Sequence, residues 1–149
     1  MGAKNGKKFR LTRVLYLREQ QVEICRDRLE QCRSDLERWQ AHQEEVLMQQ
    51  RTAGLQPGSA QGLLNVADMQ LREQGRRWFQ RELERLDAEI LERERALENA
   101  RADLWQAEQR RRRLERLRER FEEQQRRWAK RGERKRLNRW SNFRNGPQG

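Results

Sequence analysis

Two cysteines and one histidine are the residues of this sequence that could supply a nucleophile, a base or a soft metal ligand, and their spacing withholds most of that chemistry. Cys25 and Cys32 stand two helical turns apart, about 10 Å along one helix, too far for a disulfide within the chain. A thiolate nucleophile needs a base beside it and zinc needs four ligands, whereas His42 is the only histidine. Both cysteines therefore read as small apolar side chains. No glycine-rich phosphate loop is present. The acidic residues stand three or four positions from arginines, as Glu82 does from Arg85, which is the pattern of solvated ion pairs along a helix. The expectation is a protein that is not an enzyme and holds no cofactor or metal.

The cationic side chains offer a second chemistry. Arg110 to Arg113 and Arg126 to Arg144 interleave with Phe121, Trp128, Trp140 and Phe143, and clustered cations with aromatics are what phosphate binding and base stacking require. The same segment carries Glu115, Glu119, Glu122 and Glu123, and helical periodicity runs through it. A helix that faces a protein is the stronger expectation, with nucleic acid the less favoured partner.

That periodicity identifies the elements which must position these residues. Leu83, Leu86, Ile90, Leu97, Ala100, Leu104, Ala107, Leu114, Phe121 and Trp128 fall on alternating steps of three and four, the seam of a coiled coil. A matching run joins Leu11, Leu15, Val22, Cys25, Leu29, Cys32, Leu36, Trp39 and Val46, with Arg18 and Gln43 as polar exceptions that fix register. Between the runs, Gly54, Pro57, Gly58, Ser59 and Gly62 mark a turn. Each seam needs a partner, so the fold class expected is all-α, a long two-helix antiparallel coiled-coil hairpin.

The sequence divides into a basic tail over 1–8, helix 1 over 9–51, a turn over 52–64, helix 2 over 65–131 and a basic C-terminal tail over 132–149. Ser59 or Asn65 would cap helix 2, the latter supported by Asp68. Gly132 would end the helix or fray it. Matching residues outward from the turn pairs Gln50 with about Val66 and Lys8 with about Glu108, which leaves helix 2 unpaired beyond about 108. At 1.5 Å per residue helix 1 spans about 60 Å and helix 2 about 95 Å. Leu64, Leu71 and Trp78, and separately Leu91 and Trp105, lie off the seam and would form a docking face near the turn or ordinary surface.

Composition agrees with a thin seam. With 34% hydrophobic and 40% charged residues and a mean hydropathy of -1.36, the 149-residue chain has little from which to build a globular core. No run approaches the length of a membrane span, and a cytoplasmic protein is expected. The net charge of +11 is unevenly placed: residues 1–18 carry +6, residues 19–108 carry -6 and residues 109–149 carry +11. In a hairpin the two basic termini meet, giving one cationic end.

Three stretches carry a family resemblance. Phe9-Arg10-Leu11 through Val14-Leu15-Tyr16-Leu17-Arg18-Glu19, then Leu104 through Leu114-Glu115-Arg116-Leu117-Arg118-Glu119-Arg120, then Glu133-Arg134-Lys135-Arg136-Leu137-Asn138-Arg139-Trp140-Ser141-Asn142 resemble the opening, second-helix and closing segments of the FliJ family of flagellar type III export proteins. The closing segment departs from the family pattern, which commonly has acidic residues where this chain has Asn138 and Arg139. Injectisome stalk proteins share the fold that the resemblance implies.

The resemblance implies a central stalk like that of rotary ATPases. Its terminal end would enter a hexameric export ATPase and promote ring assembly and activity. The other end would reach the large membrane export-gate protein, and export chaperones would be further partners. It implies peripheral association with the export apparatus at the inner membrane, without insertion. By position, the gate-contacting residues fall on Trp39, His42, Val46, Phe79, Leu83, Leu86 and Ile90, most of them also seam positions, so that holding the hairpin together is an equal reading for Leu83, Leu86 and Ile90. His42 stands where the family tends to have an aromatic. The ring-side residues fall on Arg10, Arg13, Arg111, Leu114, Arg118, Phe121, Trp128, Lys135, Leu137 and Trp140.

Overall fold

The structure, a computed structural model, describes residues 8–55 and 65–144. Two helices make it up: α1 over Thr12–Thr52 and α2 over Val66–Arg144. They pack against one another as an antiparallel hairpin, and no strand occurs among the described residues. Ser59, most of the 52–64 turn and most of the 1–8 tail lie outside the described residues.

Local chemistry sets the helix ends. The Thr12 hydroxyl donates to the Phe9 carbonyl at 2.6 Å as α1 begins. At its other end Gly54 adopts φ 66°, and its N–H donates to the Arg51 carbonyl at 3.0 Å while the Leu55 N–H donates to that of Gln50 at 3.1 Å. This pair of bonds is a Schellman cap, in which glycine takes the left-handed position without steric cost. Asn65 Oδ1 accepts the Asp68 N–H at 2.7 Å, the expected N-cap of α2.

Helix α2 does not stop near Gly132; it continues to Arg144. A lone glycine costs a helix about 1 kcal/mol relative to alanine, and the strong helix formers on either side of Gly132 outweigh it. The segment 132–144 is therefore helix, where the sequence suggested a tail.

Register is the second departure. Polar contacts between the helices join Gln43 to Asp87, Asp35 to Arg93 at 2.9 Å and Arg28 to Asp103 at 3.0 Å. Phe9 packs on Phe121 with ring centroids 5.7 Å apart, so α2 has a partner well beyond residue 108. Relative to the expected pairing of Lys8 with Glu108, helix α2 is displaced by about two heptads. The cause lies at the turn: Leu55 packs against Gly75 and Arg72 donates to the Gly54 carbonyl at 2.8 Å, so the end of α1 meets α2 beyond its first two turns. A shift by whole heptads keeps every seam residue on the seam and changes only its partner.

The hairpin divides into two compact units. In the first, Ile24–Leu104, the buried residues are Val46, Phe79, Leu86, Ile90, Leu97 and Ala100. Val46, Phe79 and Leu86 form its central cluster, with Trp39, Leu55 and Leu83 packed on them. In the second, formed by 8–23 and 105–144, Leu15, Val22 and Ala107 are buried. At Ala100 and Ala107 the seam buries a single methyl group where most of its other positions carry larger side chains.

Gly75 has a packing role. A Cβ there would lie 2.8 Å from Leu55 Cδ1, so the glycine admits the side chain that closes the turn over the core. Gly75→Ala is expected to yield less than the roughly 1 kcal/mol that alanine ordinarily gains in a helix, and to recover the full gain in a Leu55→Ala background. Denaturant titration of the two single variants and the double variant measures this coupling. Equal gains in both backgrounds would show that Leu55 does not need the glycine.

Candidate functional site

The turn-side residues separate by burial. Val46, Phe79, Leu86 and Ile90 are buried in the seam and offer a partner no surface. The hairpin has a single apolar layer, and these side chains are that layer, so their contribution is to hold the helices together. Trp39 and Leu83 are half-buried and His42 is exposed, which leaves these three accessible.

Trp39 sits in a polar frame. The Arg93 guanidinium carbon lies 5.2 Å from the centre of its ring, a cation–π contact between α1 and α2. Arg93 is held in turn by Asp35, with Nε 2.9 Å away, and by Glu89, with Nη2 3.4 Å away. Beside it Asp35, Arg38, Trp39 and His42 line a cleft of about 240 Å³. His42 Nδ1 stands 3.9 Å from Glu45. Leu83 opens instead onto a groove shared with Gln50, Leu55, Glu73, Arg77 and Gln80. Next to it, the Arg85 hydrogen bond to Glu82 at 2.5 Å is the main cause that holds the Glu82 carboxyl below its ordinary value, against an opposing desolvation. That stabilisation is present at neutral pH and fades as pH falls through the lowered value, and at this exposed pair it is small.

The ring-side residues lie in the other unit. Arg10 and Arg13 are exposed at the start of the chain. Arg111 is half-buried with Nε 3.5 Å from Glu115, and Arg118 is exposed with Nε 3.7 Å from Glu122. Leu114 is half-buried, as is Phe121 beneath Phe9. Beyond Phe121 the surroundings change: Trp128, Lys135, Leu137 and Trp140 are all exposed. Every residue from Arg126 to Arg144 is exposed apart from Gly132. These positions carry nine Lys/Arg against the single acid Glu133.

Phe9, Leu55 and Arg93 were not among the expected site residues. Phe9 would have been found by sliding the two seams by whole heptads until aromatic met aromatic. Leu55 stands between Gly54 and Pro57, where an apolar residue reads as loop, and Arg93 is one of many arginines in its stretch. The off-seam residues Leu71, Trp78, Leu91 and Trp105 are exposed, and Trp78 meets Phe79 edge-on at 4.9 Å. Cys25 and Cys32 are free and half-buried.

Among the described residues, no group of three His, Cys, Asp or Glu is placed to hold a metal, and no helix is long and apolar enough to cross a membrane. Cations and aromatics are concentrated where α2 outruns α1. Comparison with protein-family models, with curated proteins and with solved structures finds no match for this chain.

Proposed function

We propose that this chain is a non-enzymatic central stalk of a flagellar type III protein export ATPase complex, with its cationic terminal unit entering the hexameric ATPase ring. The observation that supports this most is the asymmetry of the hairpin: α2 continues through Arg144 while α1 begins at Thr12, and the overhang is strongly cationic and bears Trp128, Leu137 and Trp140. A ring lined with carboxylates would steer such a helix inward and then bury its aromatics. Arg10, Arg13, Arg111, Leu114 and Arg118 would meet the ring at the paired part of the same unit, and Lys135 within the overhang.

In this reading the turn-side unit couples the ring to the large membrane export-gate protein. The accessible Trp39, His42 and Leu83 are the contacts, while the buried seam gives them a firm base. Export chaperones are further partners, and the protein works in the cytoplasm at the face of the inner membrane.

The test is turnover of a flagellar export ATPase with the full chain and with a chain ending at Gln125, which keeps the Phe9–Phe121 contact and removes the overhang. Stimulation by the full chain, lost on truncation, is the expected result. An ATPase that forms hexamers but gains nothing from the full chain would reduce the protein to a coiled-coil adaptor of another assembly.

A further inference from the structure

Past Trp128 the heptad seam of α2 continues in position but changes in chemistry. Its next places fall on Gly132, Lys135, Arg139 and Asn142, which give a partner helix no apolar layer to pack on. At 100° per residue, Trp128, Arg139, Gly132, Phe143, Arg136 and Trp140 follow one another, in that angular order, within about one third of the helix circumference. Trp128, Trp140 and Phe143 are 69, 62 and 88% exposed, and Arg136 and Arg139 are exposed between them. No acid falls inside this arc. Glu133 stands just outside it beside Trp140, and Arg144 follows with its guanidinium carbon 5.3 Å from the centre of the Trp140 ring. The carboxylates that weigh against nucleic acid in the sequence lie earlier in α2, where Arg111, Arg118 and Arg127 approach Glu115, Glu122 and Glu123 at 3.5, 3.7 and 2.7 Å.

Rings and guanidinium groups on one face select among occupants. A bilayer surface calls for an apolar face apart from a charged one, and this arc mixes the two. A partner helix would have to pack on Lys135 and Arg139. Single-stranded nucleic acid supplies what the arc can match, phosphates along a strand with the flat faces of bases between them. In a duplex those faces are already stacked on one another. We propose that residues 126–144 bind single-stranded nucleic acid. Trp128, Trp140 and Phe143 stack on unpaired bases, and Arg136 and Arg139 take the phosphates between them. Recognition of ring faces and charge carries little base preference. The inference goes beyond the stalk reading and stands apart from it, because it needs only the free chain. Where both hold, the strand and the ATPase compete for Trp128 and Trp140.

The test is a binding titration of the full chain with a fluorescent oligothymidylate of about 16 nucleotides and with an abasic strand of the same length. Both carry the same phosphates, so affinity roughly tenfold higher for the strand with bases is expected. A variant combining Trp128→Ala, Trp140→Ala and Phe143→Ala keeps every charge and changes only exposed side chains, so the hairpin should keep its melting curve. Its affinity for oligothymidylate should fall by at least about tenfold, with the dependence on salt unchanged. Arg136→Gln with Arg139→Gln should instead make the slope of log affinity against log salt shallower by about 1.4. Equal affinity for the two strands, or a triple-alanine variant that binds as well as the natural chain, would reduce the overhang to a general polycation and overturn the proposal. Binding to phosphatidylglycerol vesicles without binding to the oligonucleotide would overturn it as well.

Discussion

Leu86→Ala is expected to destabilise the hairpin by about 2–5 kcal/mol, the range for truncating a fully buried leucine. Leu86 has no exposed surface and joins Val46 and Phe79 in the central cluster of the Ile24–Leu104 unit. A globular domain has several layers over which a cavity can be shared. Here one layer separates α1 from α2, so neighbours can close the gap only by bringing the helices together. Phe79 and Ile90, on either side along α2, resist that approach. Set against a typical total stability of about 5–15 kcal/mol, the loss should lower the midpoint of thermal unfolding by on the order of 10 °C. Leu91→Ala removes the same atoms from an exposed position and should change stability by less than about 0.5 kcal/mol. Circular dichroism melts of the two variants make the comparison, and coincident curves would mean that the seam is not what holds the helices.

The seam was legible because coiled-coil packing writes itself as a period of three and four, and the period is blind to whole-heptad displacement. Leu86, Ile90, Leu97, Ala100 and Ala107 were placed on the inner face from spacing alone, and they are buried. Their partners across the interface were not legible. Pairing depends on where the turn delivers the chain, and that is decided by Leu55 against Gly75 and Arg72 against Gly54, contacts that leave no periodic mark. Polar residues carried better register information than apolar ones: Gln43 opposite Asp87 and Asp35 opposite Arg93 are complementary in one alignment, whereas leucine meets leucine in many. Exposed pairs of this kind add little stability, and their effect is to discriminate between registers. The end of α2 was misread for a related reason, since Gly132 is a local signal and helix continuation is cooperative over many neighbours.

The candidate sites were legible in proportion to how far they depart from the seam. A position that serves the seam cannot also display itself: Val46, Leu86 and Ile90 were located by their spacing, whereas Phe79 lay outside the periodic run and was named only through the resemblance, and all four are buried. The cationic overhang was visible as composition, while its extent as a helix depends on α2 persisting to Arg144.

Trp39 stands between these cases. Half-buried, it is in contact both with the core cluster and with Arg93. Trp39→Ala is expected to cost about 2–3 kcal/mol, below the 3–5 kcal/mol of a fully buried aromatic because part of the indole is already in water. About 0.5–1 kcal/mol of the loss should belong to the cation–π contact. Arg93→Met keeps an unbranched stem over the ring and removes the charge, together with the ion pairs to Asp35 and Glu89. In a double-mutant cycle the two substitutions should therefore be less than additive by about that amount. If they are additive, the arginine is held by its carboxylates and ignores the ring. The same variants separate packing from docking. His42→Ala, at an exposed neighbour lining the same cleft, should leave the melting temperature nearly unchanged. Loss of export-gate binding in a pull-down with His42→Ala, at unaltered stability, would assign the cleft to the partner. Loss only with Trp39→Ala, in step with the fall in stability, would assign Trp39 to the hairpin alone.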